Sequence, residues 1–406
     1  MRLLSGYRIT PILVCIFSVI FLNTICVWSK PGDIIDYTHE STYTADEITK
    51  LSVPLFKGFD IPRAHYSVEL YLIRYRSTDF NGTSTDITAQ LFIPRFQKVV
   101  RRPVYVFGSG TTGIADKCAP SLEKPGSTFL GFGHYRTNML AYAGQGYIVI
   151  FPDYLGFNDG SRPQRYFSKK AEGHVMLDAI RAVYNFFIQN TFNVNPSKHV
   201  FTAGYSQGGH AAMAAADLRS TYAPEIPVTG MIGYGTTNDV QTLMKEAPVY
   251  SPYILYSYAE MYGWDEIEPS LYLQERYASS LSDDVNRMCV DEAQRYYPND
   301  GRKLYTEEFY QALYNGNLDA AFPALSLRLK ENKTGLDSHG TPALIIQGLK
   351  DSVVTTASQT SYVKELRSVG SPVKYLTLEQ VWHRHTRPAG FAWAIKWMEE
   401  LSAGDG

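Results

Sequence analysis

The stretch His199-Val-Phe-Thr-Ala-Gly-Tyr-Ser-Gln-Gly-Gly-His-Ala-Ala-Met213 decides how the rest of the chain is read. An apolar run, Val200 to Ala203, has the length and composition of a buried strand. Gly204-Tyr-Ser-Gln-Gly208 then turns sharply, and a run of small residues opens a helix. Ser206 would stand at the tip of that turn, with its hydroxyl exposed as a nucleophile. The glycines have a steric task. A Cβ on Gly204 or Gly208 would collide with the neighbouring strand or helix, and Gly209, Ala211 and Ala212 let the helix lie close to the sheet.

The 406 residues suit one large α/β domain with an insertion, and 45% hydrophobic content is enough for a large core. The net charge of −2 gives no reason to expect a nucleic-acid partner. At the N-terminus, Arg2 and Arg8 precede an apolar run from Pro11 to Trp28, and Val27 and Ser29 fit a cleavage site. Residues 1–29 therefore read as a signal peptide for a secreted or periplasmic protein, with an uncleaved anchor as the alternative and no other stable membrane association expected. Cys15 and Cys26 leave with that segment, and Cys118 and Cys289 remain. Two thiols in an exported chain favour one disulfide, here closing a loop of about 170 residues, against two separately buried thiols.

Residues 31–62 show no clear periodicity and read as surface wrapping. Alternation from His65 to Tyr75 and strand composition from Thr85 to Pro94 predict an antiparallel pair at the sheet edge. Strands at 103–107, 147–153 and 228–233 alternate with helices at 137–144, 172–190 and 207–219, which implies a parallel sheet with right-handed crossovers. The alternation stops at 237 and resumes with strand 342–348, helix 357–369, strand 373–378 and helix 390–403. The expected organisation is a core over 30–236, a helical cap over 237–340 and the rest of the core over 341–406. That cap carries a net charge of −8 against +6 for the remainder, and twelve tyrosines lie between Tyr250 and Tyr314.

A serine hydroxyl needs a base within reach, oriented by a carboxylate. On a sheet with this serine turn the partners follow in the order serine, acid, histidine. Asp351 stands just past the strand at 342–348, in a position that also suits an ordinary turn aspartate. After the strand at 373–378, loop length favours His383 as base, with His385 the alternate. The His-x-His pair lacks further ligands nearby, so neither a metal nor any other cofactor is expected. His210 reads as packing on the helix. Two backbone N–H groups should hold the developing oxyanion: Gln207, and Thr111 of Gly108-Ser-Gly-Thr-Thr-Gly113, with Thr112 the alternate.

The blocks Gly110-Thr-Thr-Gly113, Cys118-Ala-Pro-Ser121, Pro152-Asp-Tyr-Leu-Gly156 and Gly204-Tyr-Ser-Gln-Gly208, with Asp351 and the His383 region, resemble the α/β-hydrolases of the secretory lipase (lipase A-like) type over roughly residues 60–400. The resemblance implies the α/β-hydrolase fold, a mostly parallel central sheet flanked by helices with an inserted helical cap. It also implies a Ser206–Asp351–His383 triad, carboxylic-ester hydrolysis and a bridge from Cys118 to a cap cysteine, which Cys289 fits. Asn158 stands where the family pattern has glycine, so a different loop shape is expected there. The acidic cap would be repelled by anionic lipid surfaces, which points to small or medium acyl esters as the substrate. Serine exopeptidases share the fold, as do non-catalytic binding modules with broken triads. Asn81-Gly-Thr83 and Asn332-Lys-Thr334 match the N-glycosylation acceptor.

Overall fold

The computed structural model describes residues 29–123 and 133–403. The expected export segment, with Cys15 and Cys26, therefore lies outside the described residues except for its last position. Among the described residues no helix is long and apolar enough to cross a membrane.

One nine-stranded sheet runs, in spatial order, β1 (Ile34–Tyr43), β2 (Val68–Thr78), β3 (Ser84–Pro94), β5 (Ile148–Pro152), β4 (Val100–Gly108), β6 (Val194–Tyr205), β7 (Gly230–Tyr234), β8 (Ala343–Gly348) and β9 (Val373–Leu378). The pairs β1/β2, β2/β3 and β3/β5 are antiparallel, and every pair from β5 to β9 is parallel. Parallel neighbours need long crossovers, and helices supply them. The helices α1 (Ala45–Leu55) and α2 (Tyr135–Gly144) share a buried cluster with Tyr105, Phe107, Phe201 and Ala203. On the opposite face α3 (Lys169–Gln189) and α4 (Gln207–Tyr222) pack with Val104, Val106 and Val200. Successive strand residues thus bury opposite faces, which explains the unbroken apolar runs of the central strands.

Residues 31–62 depart from the expected irregular wrapping, because they hold β1 and α1. β1 is the true edge, and its solvent-facing residues are polar, so hydrophobic alternation is missing. A start signal for α1 was present nonetheless: Thr44 and Glu47 form a reciprocal capping box.

Between β7 and β8 lie nine helices: α5 (Val240–Glu246), α6 (Ser251–Tyr262), α7 (Glu275–Ala278), α8 (Leu281–Arg287), α9 (Val290–Tyr296), α10 (Gly301–Leu304), α11 (Glu307–Tyr314), α12 (Leu318–Ala321) and α13 (Pro323–Glu331). They bury a core of their own, which takes in eight of the twelve tyrosines. Buried tyrosine hydroxyls find backbone partners, as Tyr253 does at the Met288 carbonyl (2.8 Å) and Tyr305 at that of Met244 (2.7 Å). A Cys118–Cys289 disulfide ties this insert to the segment after β4, and Val290 N–H donates to the Thr112 carbonyl beside it at 2.9 Å. The chain closes with α14 (Thr356–Ser368) and α15 (Thr386–Ala403). The latter starts four residues before its expected position, because Pro388 sits in the first turn, where a missing N–H costs nothing.

Candidate active site

Tyr205 ends β6 and Gln207 begins α4, leaving Ser206 alone at the junction with φ 54° and ψ −116°. A positive φ is costly for a residue with a Cβ, and it persists only where the surroundings impose it. They do so through backbone contact. A Cβ on Gly204 would fall inside the Gly208 carbonyl, and one on Gly208 would fall inside that of Gly108. Ser206 N–H donates to the Tyr234 carbonyl (3.0 Å), and its own carbonyl accepts from Gly209 (2.9 Å) and Thr237 (3.2 Å). The side chain is thereby turned into a cavity of about 630 Å³ that Thr111, Tyr205, Tyr250, Val290, Asp291 and His383 help to line.

Asp351 follows β8. Its Oδ1 accepts from Val353 N–H and Val354 N–H, both at 2.9 Å, in the manner of a turn aspartate. Its Oδ2 lies 2.7 Å from His383 Nδ1. The two readings of this residue are met at once, one by each oxygen. His383 opens a short 3-10 turn between β9 and α15, and its ring lies 4.8 Å from that of Tyr205. His385 is exposed and lies against Phe59 instead. Gly235, with φ 51°, makes room for the pair, since a Cβ there would stand 3.0 Å from both Asp351 Oδ2 and His383 Nδ1. Nothing in its local sequence marked that glycine.

Thr111 lies on the cavity wall with its Oγ1 2.6 Å from the Tyr166 hydroxyl, whereas Thr112 is buried and ties to the insert. Gly110 N–H is taken by the Tyr135 hydroxyl at 2.9 Å. Gln207, as the first residue of α4, has an N–H with no carbonyl to receive it inside the helix. Arg387 stacks on Tyr135 and Tyr205, with its guanidinium carbon 4.5 and 5.0 Å from the two ring centres. Periodicity carried no hint of that clamp.

Two buried carboxyls of the sheet side are shifted toward their neutral form. Burial pushes Glu123 up to about 7, opposed by the Arg136 N–H and the Arg387 charge. It pushes Asp153 up to about 6, opposed by hydrogen bonds from Ser121 and Asn158. Asn158 has a φ of 60°, the left-handed region a glycine would supply, and asparagine tolerates it better than most residues. Its amide donates to Asp153 Oδ2 at 2.8 Å. Of the two acceptor motifs, Asn81 is exposed on the β2–β3 turn, while Asn332 is buried with its amide nitrogen on the Tyr262 hydroxyl.

A mostly parallel sheet flanked by helices, with a serine at a strand–helix turn and an aspartate-bonded histidine on the wall of the same cavity, defines the class as an α/β-hydrolase. The secretory lipase family model matches residues 135–405. The chain belongs to that family, and it is a carboxylic ester hydrolase. It is similar to a secreted triacylglycerol lipase of Malassezia furfur, at 23% identity over 92% of this chain and 73% of the relative. Further Malassezia lipases align over less than half of their own length. Among solved structures, Candida antarctica lipase A in its closed state superposes with a TM-score of 0.68 at 21% identity, covering 93% of this chain and 83% of the other. The rice cell wall degrading esterase LipA of Xanthomonas oryzae gives 0.70 at 17%, covering 92% and 97%. At such identities these structures speak for the fold alone.

Proposed function

We propose that the protein is an exported serine esterase using Ser206 as nucleophile, His383 as general base and Asp351 as the group that orients it. The observation that carries this reading is the 2.7 Å contact between Asp351 and His383 beside the cavity that Ser206 lines. Ser206 Oγ attacks the ester carbonyl carbon while His383 takes its proton; Asp351 keeps the ring in the tautomer with Nδ1–H and stabilises the imidazolium. The oxyanion of the tetrahedral intermediate is held by Gln207 N–H and Thr111 N–H, each such donor being worth roughly 10²–10³ in rate. Collapse breaks the C–O bond, and His383 returns the proton to the leaving alcohol. An acyl-Ser206 ester remains, which water hydrolyses by the same steps in reverse. No cofactor is needed.

The helices from α5 to α13 act as a cap over the pocket. The net charge of −8 over residues 237–340 disfavours anionic lipid surfaces, and the substrates are small to medium acyl esters. Export follows from the N-terminal segment and agrees with the word secreted in the relatives' names. A nitrophenyl ester series from acetate to palmitate tests the substrate range. Efficiency should peak at short or medium chains with no jump at the onset of emulsion. A maximum at long chains with such a jump would overturn the acyl preference, and faster cleavage of aminoacyl amides would move the enzyme to the peptidases.

A further inference from the structure

The side chains of Glu172 and His210 are almost wholly buried, and neither lines the cavity, so the reaction above leaves both unused. Glu172 Oε2 lies 2.5 Å from His210 Nδ1. Glu172 Oε1 accepts from Gln207 Nε2 at 2.8 Å and from Phe167 N–H at 3.0 Å. His210 Nε2 lies 2.7 Å from the Asn332 carbonyl. A carbonyl oxygen only accepts, so Nε2 carries a proton, and a second proton lies between Nδ1 and the carboxylate.

Two of the donors lead directly to the oxyanion hole. Gln207 supplies one N–H of that hole from its backbone and anchors its side chain on Glu172. Phe167 follows Tyr166, whose hydroxyl holds Thr111, the source of the other N–H. Phe167 is also held at φ 55°, so its N–H bond restrains a strained turn. The His210 side of the pair reaches the insert. Asn332 is the C-cap of α13, its Oδ1 accepts from Lys169 N–H at 2.8 Å, and its Nδ2 donates to the Tyr262 hydroxyl at 2.9 Å.

We propose that Glu172 and His210 are positioning residues for the oxyanion hole. The carboxylate sets both donor-bearing segments relative to Ser206, and His210 ties that geometry to the seat of the insert at Asn332. This rests on the reading of Ser206 as nucleophile and of Gln207 and Thr111 as donors. Donors aimed at the developing oxyanion act mainly in the transition state, so a small displacement lowers kcat while leaving KM nearly unchanged. A buried pair that only fastened α3 to α4 would affect stability and leave each folded active site fully competent.

The experiment compares wild type, Gln207→Ala, Glu172→Ala and Glu172→Gln on nitrophenyl butyrate, with active serines counted by a fluorophosphonate and folding followed by thermal melting. Gln207→Ala keeps the N–H and removes only the anchor. It should lower kcat per titrated serine about 10-fold with KM within about twofold, a fraction of the loss for a deleted donor. Glu172→Ala should lose more. Glu172→Gln can accept from Phe167 and Gln207 with its oxygen and donate to His210 Nδ1 with its amide, so it should recover kcat to within about threefold of wild type. Undiminished kcat per titrated serine in Gln207→Ala and Glu172→Ala, with only the melting temperature lowered, would overturn the proposal. If Glu172→Ala does not fold, Gln207→Ala decides alone. A wild-type enzyme that takes no label on Ser206 would instead reject the catalytic reading beneath it.

Discussion

Around Ser206 backbone meets backbone. Gly204, Gly208 and Gly108 approach so closely that no Cβ fits at the first two. In the insert, residues 240–332, side chain meets side chain: buried tyrosines, leucines and methionines form a core separate from those on the sheet. Several ties fasten that insert to the rest: the Cys118–Cys289 bridge, Val290 on Thr112, Arg384 on Asp291 at 2.7 Å and His210 on Asn332. Tolerance to substitution differs accordingly. The turn that presents the nucleophile accepts no added atom, whereas the insert can lose a contact at a time.

Single changes can break this contrast. The largest effect belongs to Gly204→Ala, which puts a methyl group against backbone that cannot yield; overpacking of this kind costs about 3 kcal/mol or more. Denaturant melts should find it unfolded or severely destabilised, and a near-normal midpoint would mean the elbow is more pliant than its sterics indicate. Replacing Cys118 and Cys289 together by serine should cost about 2–4 kcal/mol, because the bridge closes a long loop in the unfolded chain. Part of the lost activity should survive correction for folded fraction, since the insert is then tied by weaker bonds. Full activity per folded molecule would separate the roof from the chemistry.

A smaller effect sharpens the sheet side through pH. Glu123 is raised in the folded state from an ordinary 4.5 to about 7, so the fold favours its neutral form. Its contribution to stability is fully present below about 4.5 and is lost as pH rises through about 7. Asp153, raised to about 6, acts in the same direction. Unfolding midpoints should therefore fall between pH 5 and pH 8, and Glu123→Gln should reduce that slope. An unchanged slope would place the titration elsewhere.

The parts of the fold legible in the sequence are those where backbone geometry limits the choice of residue. Gly204 and Gly208 had to lack a Cβ on either side of Ser206, the buried stretches of the central strands carry unbroken apolar runs such as 104–107 and 148–151, and the turns after β8 and β9 offer one aspartate and two histidines. Asp351 and His383 meet in space as that order suggests, and His385 does not join them. β1 carries no alternation because an exposed edge strand need not alternate, and α1 is marked in the sequence only by its Thr44–Glu47 capping box. Gly235, Tyr166, Arg387 and the Glu172–His210 pair were invisible for another reason. Periodicity reports how much of a side chain is buried, and it says nothing about which distant partner the side chain meets.

Fluorophosphonate labelling, with the modified peptide identified by mass and the rate measured in His383→Ala and His385→Ala, asks whether Ser206 is the nucleophile and His383 its base. One label per chain is expected, on Ser206, with the rate reduced by about 10³-fold or more in His383→Ala and within about twofold of wild type in His385→Ala. Label on another residue, or a His383→Ala rate equal to wild type, would contradict that assignment.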